Sequence, residues 1–343
     1  MNELTVEGRP LSVSNLDKVL YPSTGFTKGQ VIDYYLRIAP VLLPHLRGRP
    51  LTLKRYPDGV TGPFFYEKRC PPHPAWLRTV AVPSERRGTI DYCVIDDLAG
   101  LVWAANLADL ELHVPLHRAE RPEEPDLMVF DLDPGAPADL VDCCRVAIDL
   151  RARLDAFGLS ALVKTSGAKG LQLYVPIGGG ARYGETKTFA RELAQCLEAD
   201  DPRHVVSNMR KELRTGKVFI DWSQNDPHKT TICVYSLRAR ERPTVSLPVT
   251  WREVQAVAHH GRSEAIVFEA DDALSRVARK GDLFAPALKA PQRLPGAPSA
   301  AGPGRRAGRA RRKGTAPGGA ARRRHRLRRD GPGPPRAASP RRP

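Results

Sequence analysis

The chain has 343 residues, with 54 Lys and Arg against 38 Asp and Glu and a formal net charge of +16. That length accommodates one large or two ordinary domains with a sizeable core, and the absence of any apolar run near about 18 residues excludes a transmembrane helix. The charge is concentrated: residues 290–343 hold 16 basic side chains and one acid, Asp330, whereas the first 289 residues hold 38 basic and 37 acidic ones, so net charge cannot be what gives the body an affinity for a polyanion.

In chain order, Met1-Asn-Glu-Leu4 lacks a basic-then-apolar signal pattern, and a cytoplasmic protein is expected. Thr27 with Gln30 has the spacing of a capping box opening a helix to about Leu46, ended near Gly48. Residues 51–55 and 64–66 read as strands around a Pro57-Asp58-Gly59 turn, followed by a helix over 98–108 and a strand over 110–114. His113 and His117 have a helical metal-ligand spacing, but Pro115 between them argues against a helix. The apolar strand 127–133 is stopped by Pro134-Gly135, and a helix over 138–157 is stopped by Gly158. Strands then fall near 160–165 and 171–177, a helix near 185–199, strands near 203–206, 217–222 and 231–235, and helices near 251–258 and 271–280. The six cysteines (Cys70, Cys93, Cys143, Cys144, Cys196, Cys233) form no Cys-x-x-Cys pair and read as reduced thiols, neither a zinc site nor a disulfide framework. The whole is mixed α/β over 1–289, with a tail over 290–343 that is almost entirely Arg, Gly, Pro and Ala. Such a tail cannot bury a core. It reads either as a disordered basic arm or as GC-rich coding sequence read out of frame.

The chemistry is concentrated in Leu127-Met-Val-Phe-Asp-Leu-Asp-Pro-Gly135. Strand side chains alternate faces, so Asp131 and Asp133 share one face while Leu132 packs behind. Two anions that close repel unless a cation sits between them, and oxygen ligands suit a divalent ion. Asp221, after the apolar run Val218-Phe-Ile220, is a third candidate. Three strand-borne aspartates are what a two-metal phosphoryl or nucleotidyl transfer site requires, with ions about 3.5–4 Å apart. Two other readings stand beside this one. Carboxylates at strand ends often only cap turns, and Phe130-Asp-Leu-Asp133 is similar to the first motif of haloacid-dehalogenase-type phosphatases. That motif, however, continues Gly-Thr near a chain start, and this one continues Pro134-Gly135 in mid-chain.

Further stretches add donors. Ser166-Gly-Ala-Lys-Gly170 is a glycine-bounded basic turn between strands, suited to a polyphosphate through Ser166, Lys169 and its backbone N–H groups; the plain alternative is a hairpin with an exposed lysine. Gln224 follows Asp221 closely, and Arg238 and Arg240 are expected on one strand face. Asn15, Lys18, Lys28 and Lys54 with Phe64-Phe65 form a basic-plus-aromatic set suited to a phosphate and a stacked base.

Asp17-Lys-Val-Leu-Tyr-Pro22, Lys54-Arg-Tyr-Pro57, Leu112-His-Val-Pro115, Phe130-Asp-Leu-Asp-Pro-Gly135, Ser166-Gly-Ala-Lys-Gly170, Val218-Phe-Ile-Asp-Trp-Ser-Gln-Asn225 and Tyr235-Ser-Leu-Arg-Ala-Arg240 run in order through residues 1–285. Together they resemble the polymerase domain of bacterial DNA ligase D, of the archaeo-eukaryotic primase superfamily. The resemblance implies a primase-like catalytic core that adds NTPs or dNTPs to a primer 3′-hydroxyl at gaps and breaks during non-homologous end joining, with two Mn²⁺ or Mg²⁺ ions. It implies metal ligation by Asp131, Asp133 and Asp221, and triphosphate contacts from Ser166, Lys169 and Arg240. Arg214, Gln224 and Arg238 would support the nucleotide, and His113 would lie on the nucleotide or template side. Asn15, Lys18 and Lys28 would bind the 5′-phosphate of a DNA end, and Lys54, Phe64 and Phe65 the template. It also implies a Ku-type end-binding partner, a separate ATP-dependent ligase for sealing, and a nucleoid-associated location.

One position departs from the family pattern. Gln172 stands where a phosphate-contacting histidine is expected, and loss of a charge-assisted contact costs roughly 1–3 kcal/mol. The expected result is a weakened or altered polymerase, or alternatively an end-binding and bridging module whose activity has lapsed.

Overall fold

The structure, a computed structural model, describes residues 2–84, 88–289 and 291–296. Two sheets organise it. In the first, the strand order is Val205–Val206, Val218–Asp221, Leu127–Pro134, Leu171–Gly178, Leu162–Thr165, Pro248–Val249. Its neighbours are antiparallel except for the first pair. In the second, the order is Thr231–Ile232, Asp109–Val114, Pro50–Arg55, Gly88–Val94, Thr79–Ser84, with Phe65–Glu67 paired to the C-terminal half of Pro50–Arg55.

Each sheet has its own core. The helices Leu140–Ala156 and Tyr183–Asp200 pack on the first, burying Val146, Leu150, Phe189 and Leu193 against Met128, Phe130, Leu171 and Leu173. The second core gathers the helices Lys28–Leu46 and Leu98–Asn106 around Leu51, Leu53, Leu110 and Leu112. The first of these helices starts where the sequence indicates. Thr27 Oγ1 accepts the Gln30 N–H at 3.3 Å, and Gln30 Oε1 accepts the Thr27 N–H at 2.8 Å, satisfying two groups the helix itself cannot. The expected helices and most strands are present within a few residues of their expected ends.

Several features differ from expectation. A hairpin of Asn2–Val6 and Arg9–Val13 and the strand pair Thr79–Ser84 and Gly88–Val94 add to the expected strands. Tyr235 has φ of 66°, which turns the chain, so Leu237 makes a lone bridge to Val245 and Arg238 and Arg240 do not share a strand face. Cys70 and Cys93 form a disulfide across 23 residues, against the expectation of reduced thiols; the Cys70 N–H donates to Asp91 O at 2.7 Å, laying this loop along the strand that carries Cys93. Finally, Gln292–Arg293, grouped by composition with the tail, pairs in parallel with Ile177–Gly178. The tail beyond residue 296 lies outside the described residues.

Candidate active site

The strand Leu127–Pro134 lies between the two cores. Its even side chains, Met128, Phe130 and Leu132, belong to the first core, and its odd ones, Leu127 and Val129, to the second. Asp131 and Asp133 continue the odd row where the second core stops, and there the face opens. Asp131 is half-buried and Asp133 reaches solvent.

Straight across the ladder from Asp131 lie Asp221 on one side and Gln172 on the other, and Lys164 is opposite Gln172. One rung therefore reads Asp221, Asp131, Gln172, Lys164 over four strands. Burial raises the Asp131 carboxyl to about 7; the Asp133 and Asp221 charges add to the rise, and a hydrogen bond from Gln172 opposes it. Desolvation by its surroundings raises Asp133 as well, although its side chain reaches solvent; Asp221 adds to this, and Arg214 and Arg238 pull it back. Lys164, only 1% exposed, is lowered to about 7 by burial. Its ammonium donates to Gln172 Oε1 and Ser246 Oγ, both at 2.6 Å, and Tyr174 Oη donates to the same Gln172 oxygen at 3.2 Å. Gln172, 4% exposed, thus sits inside the rung beside Asp131.

Among the described residues, no three His, Cys, Asp or Glu side chains converge on a common point. The reason lies in the one-turn helix after Asp221. Asp221 Oδ1 accepts the Ser223 N–H at 2.9 Å and its hydroxyl at 2.5 Å, and Oδ2 accepts Gln224 Nε2 at 2.8 Å. Gln224, expected at the nucleotide, instead holds Asp221. The donor set still fits a divalent cation: the oxygens are hard, and the Asp131–Asp133 pair is an unneutralised anionic couple.

The turn 166–170 lies beside this rung. Ser166 Oγ accepts the N–H groups of Ala168 and Gly170 at 3.2 and 3.1 Å, so two of the backbone donors expected for phosphate are already used. Lys169 is exposed at the tip. Gly170 passes so close to the aspartate strand that a Cβ there would meet Leu132 O at 1.9 Å, and a Cβ on Gly135 would meet Arg214 O at 2.0 Å. These two glycines let the 166–170 turn and the Arg214 loop close on the carboxylates. Arg214 lies over the Phe219 ring at 3.6 Å and donates to Met209 O at 2.7 Å, leaving its buried Nε without a hydrogen-bond partner among the described residues. Arg238 Nη1 donates to Ser166 O at 2.6 Å. Arg240 is exposed beyond it, and the structure does not bring it into this group.

The second sheet carries Lys54 and His113, and Arg238 links it to the 166–170 turn. Lys54 pairs across the ladder with Glu111, and Thr52 with His113, all on the face away from Leu51, Leu53 and Leu112. Lys54 Nζ donates to Glu111 at 3.0 Å and lies 4.9 Å from the Phe64 ring centroid. Phe64 and Phe65 are 53% and 49% exposed, an unusual state for two adjacent phenylalanines. His113 bonds Glu111 through Nε2 at 3.0 Å and packs edge-on to Tyr66; burial lowers its pKa, and the Glu111 carboxylate opposes the shift. His117 is separate, hydrogen-bonded to Tyr183 Oη at 2.8 Å.

Asn15, Lys18 and Lys28 come together at the start of the long helix. The Lys28 N–H donates to Lys18 O, and its buried ammonium to Ser14 O at 2.7 Å; burial and then the Lys18 charge lower its pKa. Lys18 itself is exposed and pairs with Asp58 at 2.9 Å.

A family model described as "LigD, primase-polymerase domain" matches residues 27–284. The chain belongs to this family. It is 44% identical over 283 residues to the multifunctional non-homologous end joining DNA repair protein LigD of Mycobacterium tuberculosis, covering 80% of this chain and 36% of that protein. It is 43% identical over 277 residues to the Mycolicibacterium smegmatis LigD, covering 80% and 35%. To the bifunctional LigD of Bacillus subtilis it is 32% identical over 288 residues, covering 83% and 45%. The chain thus spans less than half the length of these relatives. A solved structure of the polymerase domain from M. tuberculosis ligase D in complex with DNA superposes with a TM-score of 0.76 at 42% identity, covering 82% of this chain and 99% of that one. The resemblance read from the ordered motifs and the primase-like mixed α/β fold are both borne out.

Two residues at the site escaped sequence reading: Glu111 and Lys164. Glu111 had a local signal, a polar row with Asp109 and His113 at every second position of an apolar strand, whereas Lys164 had only its place in a short apolar strand; neither belongs to a motif with known chemistry.

Proposed function

We propose that this domain is a metal-dependent nucleotidyltransferase that adds NTPs or dNTPs to a primer 3′-hydroxyl at DNA gaps and double-strand breaks, in the setting of non-homologous end joining. The observation that carries this reading is the row of Asp131 and Asp133 with Asp221 directly across the ladder, exposed at its Asp133 end and within electrostatic reach of Arg214 and Arg238, the latter bonded to Ser166 of the 166–170 turn. Two divalent cations, Mn²⁺ or Mg²⁺, would supply neutralisation of the phosphates and a lowered pKa for the attacking hydroxyl. Asp131, Asp133 and Asp221 would hold them. The protein's own part is positioning. Lys169, Arg214 and Arg238 offer cationic donors to a triphosphate, and Phe64 and Phe65 offer ring faces to a template base at the end of its duplex. Asn15, Lys18 and Lys28 form a separate cationic pocket for a 5′-phosphate. No side-chain general base is required. A Ku-type end-binding protein and a ligase activity would complete repair.

The test is extension of a gapped, 5′-phosphorylated duplex with each NTP and dNTP in Mn²⁺ or Mg²⁺. Wild-type protein is expected to incorporate, and Asp131→Ala and Asp221→Ala to abolish incorporation; activity surviving either change overturns the assignment. A second reading, an end-binding and bridging module with lapsed polymerase activity, draws on Gln172 and the independently assembled Lys18–Lys28 pocket. It requires preferential binding to 5′-phosphorylated ends with no incorporation by the wild type, and Gln172→His separates a damaged polymerase from a tolerated substitution.

A further inference from the structure

Glu111 belongs to none of these subsites, yet it touches two of them. It is 1% exposed. Its Oε2 accepts Lys54 Nζ and His113 Nε2, each at 3.0 Å, while Oε1 accepts the Ala239 N–H at 3.0 Å and faces Arg238 Nε at 3.2 Å. These partners lead in two directions. Lys54 extends to the exposed Phe64 ring, and Arg238 extends to the backbone oxygen of Ser166 in the phosphate turn.

We propose that Glu111 is a positioning residue that fixes the template platform of Lys54 and Phe64 relative to the triphosphate turn through Arg238. The inference rests on the nucleotidyltransfer reading above. Burial pushes its carboxyl pKa up, but His113, Arg238 and Lys54 reverse this and hold it well below the ordinary carboxylate range, so it is an anion in the fold. A buried ion cluster is a poor device for stability, since well-packed apolar residues do as well; what it supplies is register between the groups it gathers. Here those groups come from three places: Lys54 and His113 from neighbouring strands of the second sheet, and Arg238 from the segment that crosses to the first. Without the central charge, Lys54 and Arg238 repel each other, and each is free to swing toward phosphate.

The experiment uses the full chain and the near-isosteric variant Glu111→Gln. Three quantities are measured: the melting temperature, quenching of a 2-aminopurine templating base on a recessed-end duplex without nucleotide, and KM and kcat for the templated nucleotide. Positioning predicts a nucleotide KM raised about tenfold with kcat within about threefold, and at least half of the quenching lost. In an Arg238→Met background, Glu111→Gln changes KM by less than about twofold further, because the two act as a unit. Unchanged KM and quenching overturn the proposal, as does a KM effect that simply adds to that of Arg238→Met. Should Glu111→Gln melt early, Arg238→Met is read on the template side: Arg238 reaches the platform only through Glu111, so loss of quenching then supports the proposal and full quenching overturns it. If the wild type incorporates no nucleotide, the nucleotidyltransfer reading fails by itself, and the 2-aminopurine measurement, which needs only DNA, still decides whether Glu111 holds the platform.

Discussion

Asp131→Asn in metal-free protein gives a test of the site that does not depend on activity. The folded state raises the Asp131 carboxyl from 3.8 to about 7, through burial first and the Asp133 charge second. A carboxylate raised on folding favours the protonated form, so the native state binds a proton that the unfolded chain releases. Metal-free stability should therefore increase as pH falls from about 7 toward 4, and the full penalty should stand above 7. At 1.36 kcal/mol per pH unit, the gap corresponds to about 4 kcal/mol. Water reaching the open end of the row trims this, and about 2 kcal/mol is the expected gain from Asp131→Asn at pH 8, or about 4–8 °C in melting temperature. The assay is thermal unfolding of both proteins in chelator at pH 8 and pH 5, then with Mg²⁺ or Mn²⁺ at pH 8. The variant should melt higher at pH 8 without metal, and less than half of that difference should survive at pH 5. Added cation should stabilise the wild type more than the variant. A variant that melts at or below the wild type at pH 8 in chelator would refute the view that Asp131 and Asp133 form an unneutralised pair.

Replacing Phe64 and Phe65 together by Ala should weaken binding to an overhang by about 1–3 kcal/mol per lost stacked base while leaving blunt duplex affinity unchanged; fluorescence anisotropy on the two substrates checks this, and equal losses on both would count against stacking. Lys28→Gln should reduce the preference for a phosphorylated over an unphosphorylated 5′ end about tenfold or more, the effect of one charge-assisted contact, measured as a ratio of dissociation constants; an unchanged ratio refutes the pocket. Arg49 makes paired 2.7 Å bonds to both Asp126 oxygens and donates to His45, Pro115 and His117 carbonyls. Arg49→Met should therefore cost about 2–3 kcal/mol by chemical denaturation, less than the roughly 3–5 kcal/mol of an uncompensated buried charge because Arg118 still bonds Asp126 at 3.1 Å; a loss below about 1 kcal/mol would show that the pair is not structural.

Much of the fold was legible because local chemistry and tertiary packing agree. Thr27 and Gln30 cap the helix they flank, and the apolar run from Leu127 reads as a strand by its composition and by the Pro134-Gly135 stop. The misreadings come from places where tertiary context decides. Tyr235-Ser-Leu-Arg-Ala-Arg240 alternates like a strand, but the left-handed turn at Tyr235 sends Arg238 inward to Glu111 and Ser166 and leaves Arg240 outside. Cys70 and Cys93 meet because a loop folds back onto a strand, which spacing alone does not encode. The three aspartates were found from their neighbours, whereas the placement of Gln172 between Asp131 and Lys164 depends on the pairing of strands whose register no single segment carries.

The parity of Leu127–Pro134 also has a consequence for how this sequence can change. Because one strand supplies alternate residues to two different cores before ending in carboxylates, its length is constrained more tightly than its composition. Aliphatic exchange at Met128 or Leu132 disturbs one core locally. A single inserted or deleted residue between Leu127 and Phe130 would send Asp131 and Asp133 into the helix-covered core and present apolar side chains on the face they now occupy. Related chains should accordingly vary in the letters of this segment and hold its count, with insertions displaced to the loops on either side.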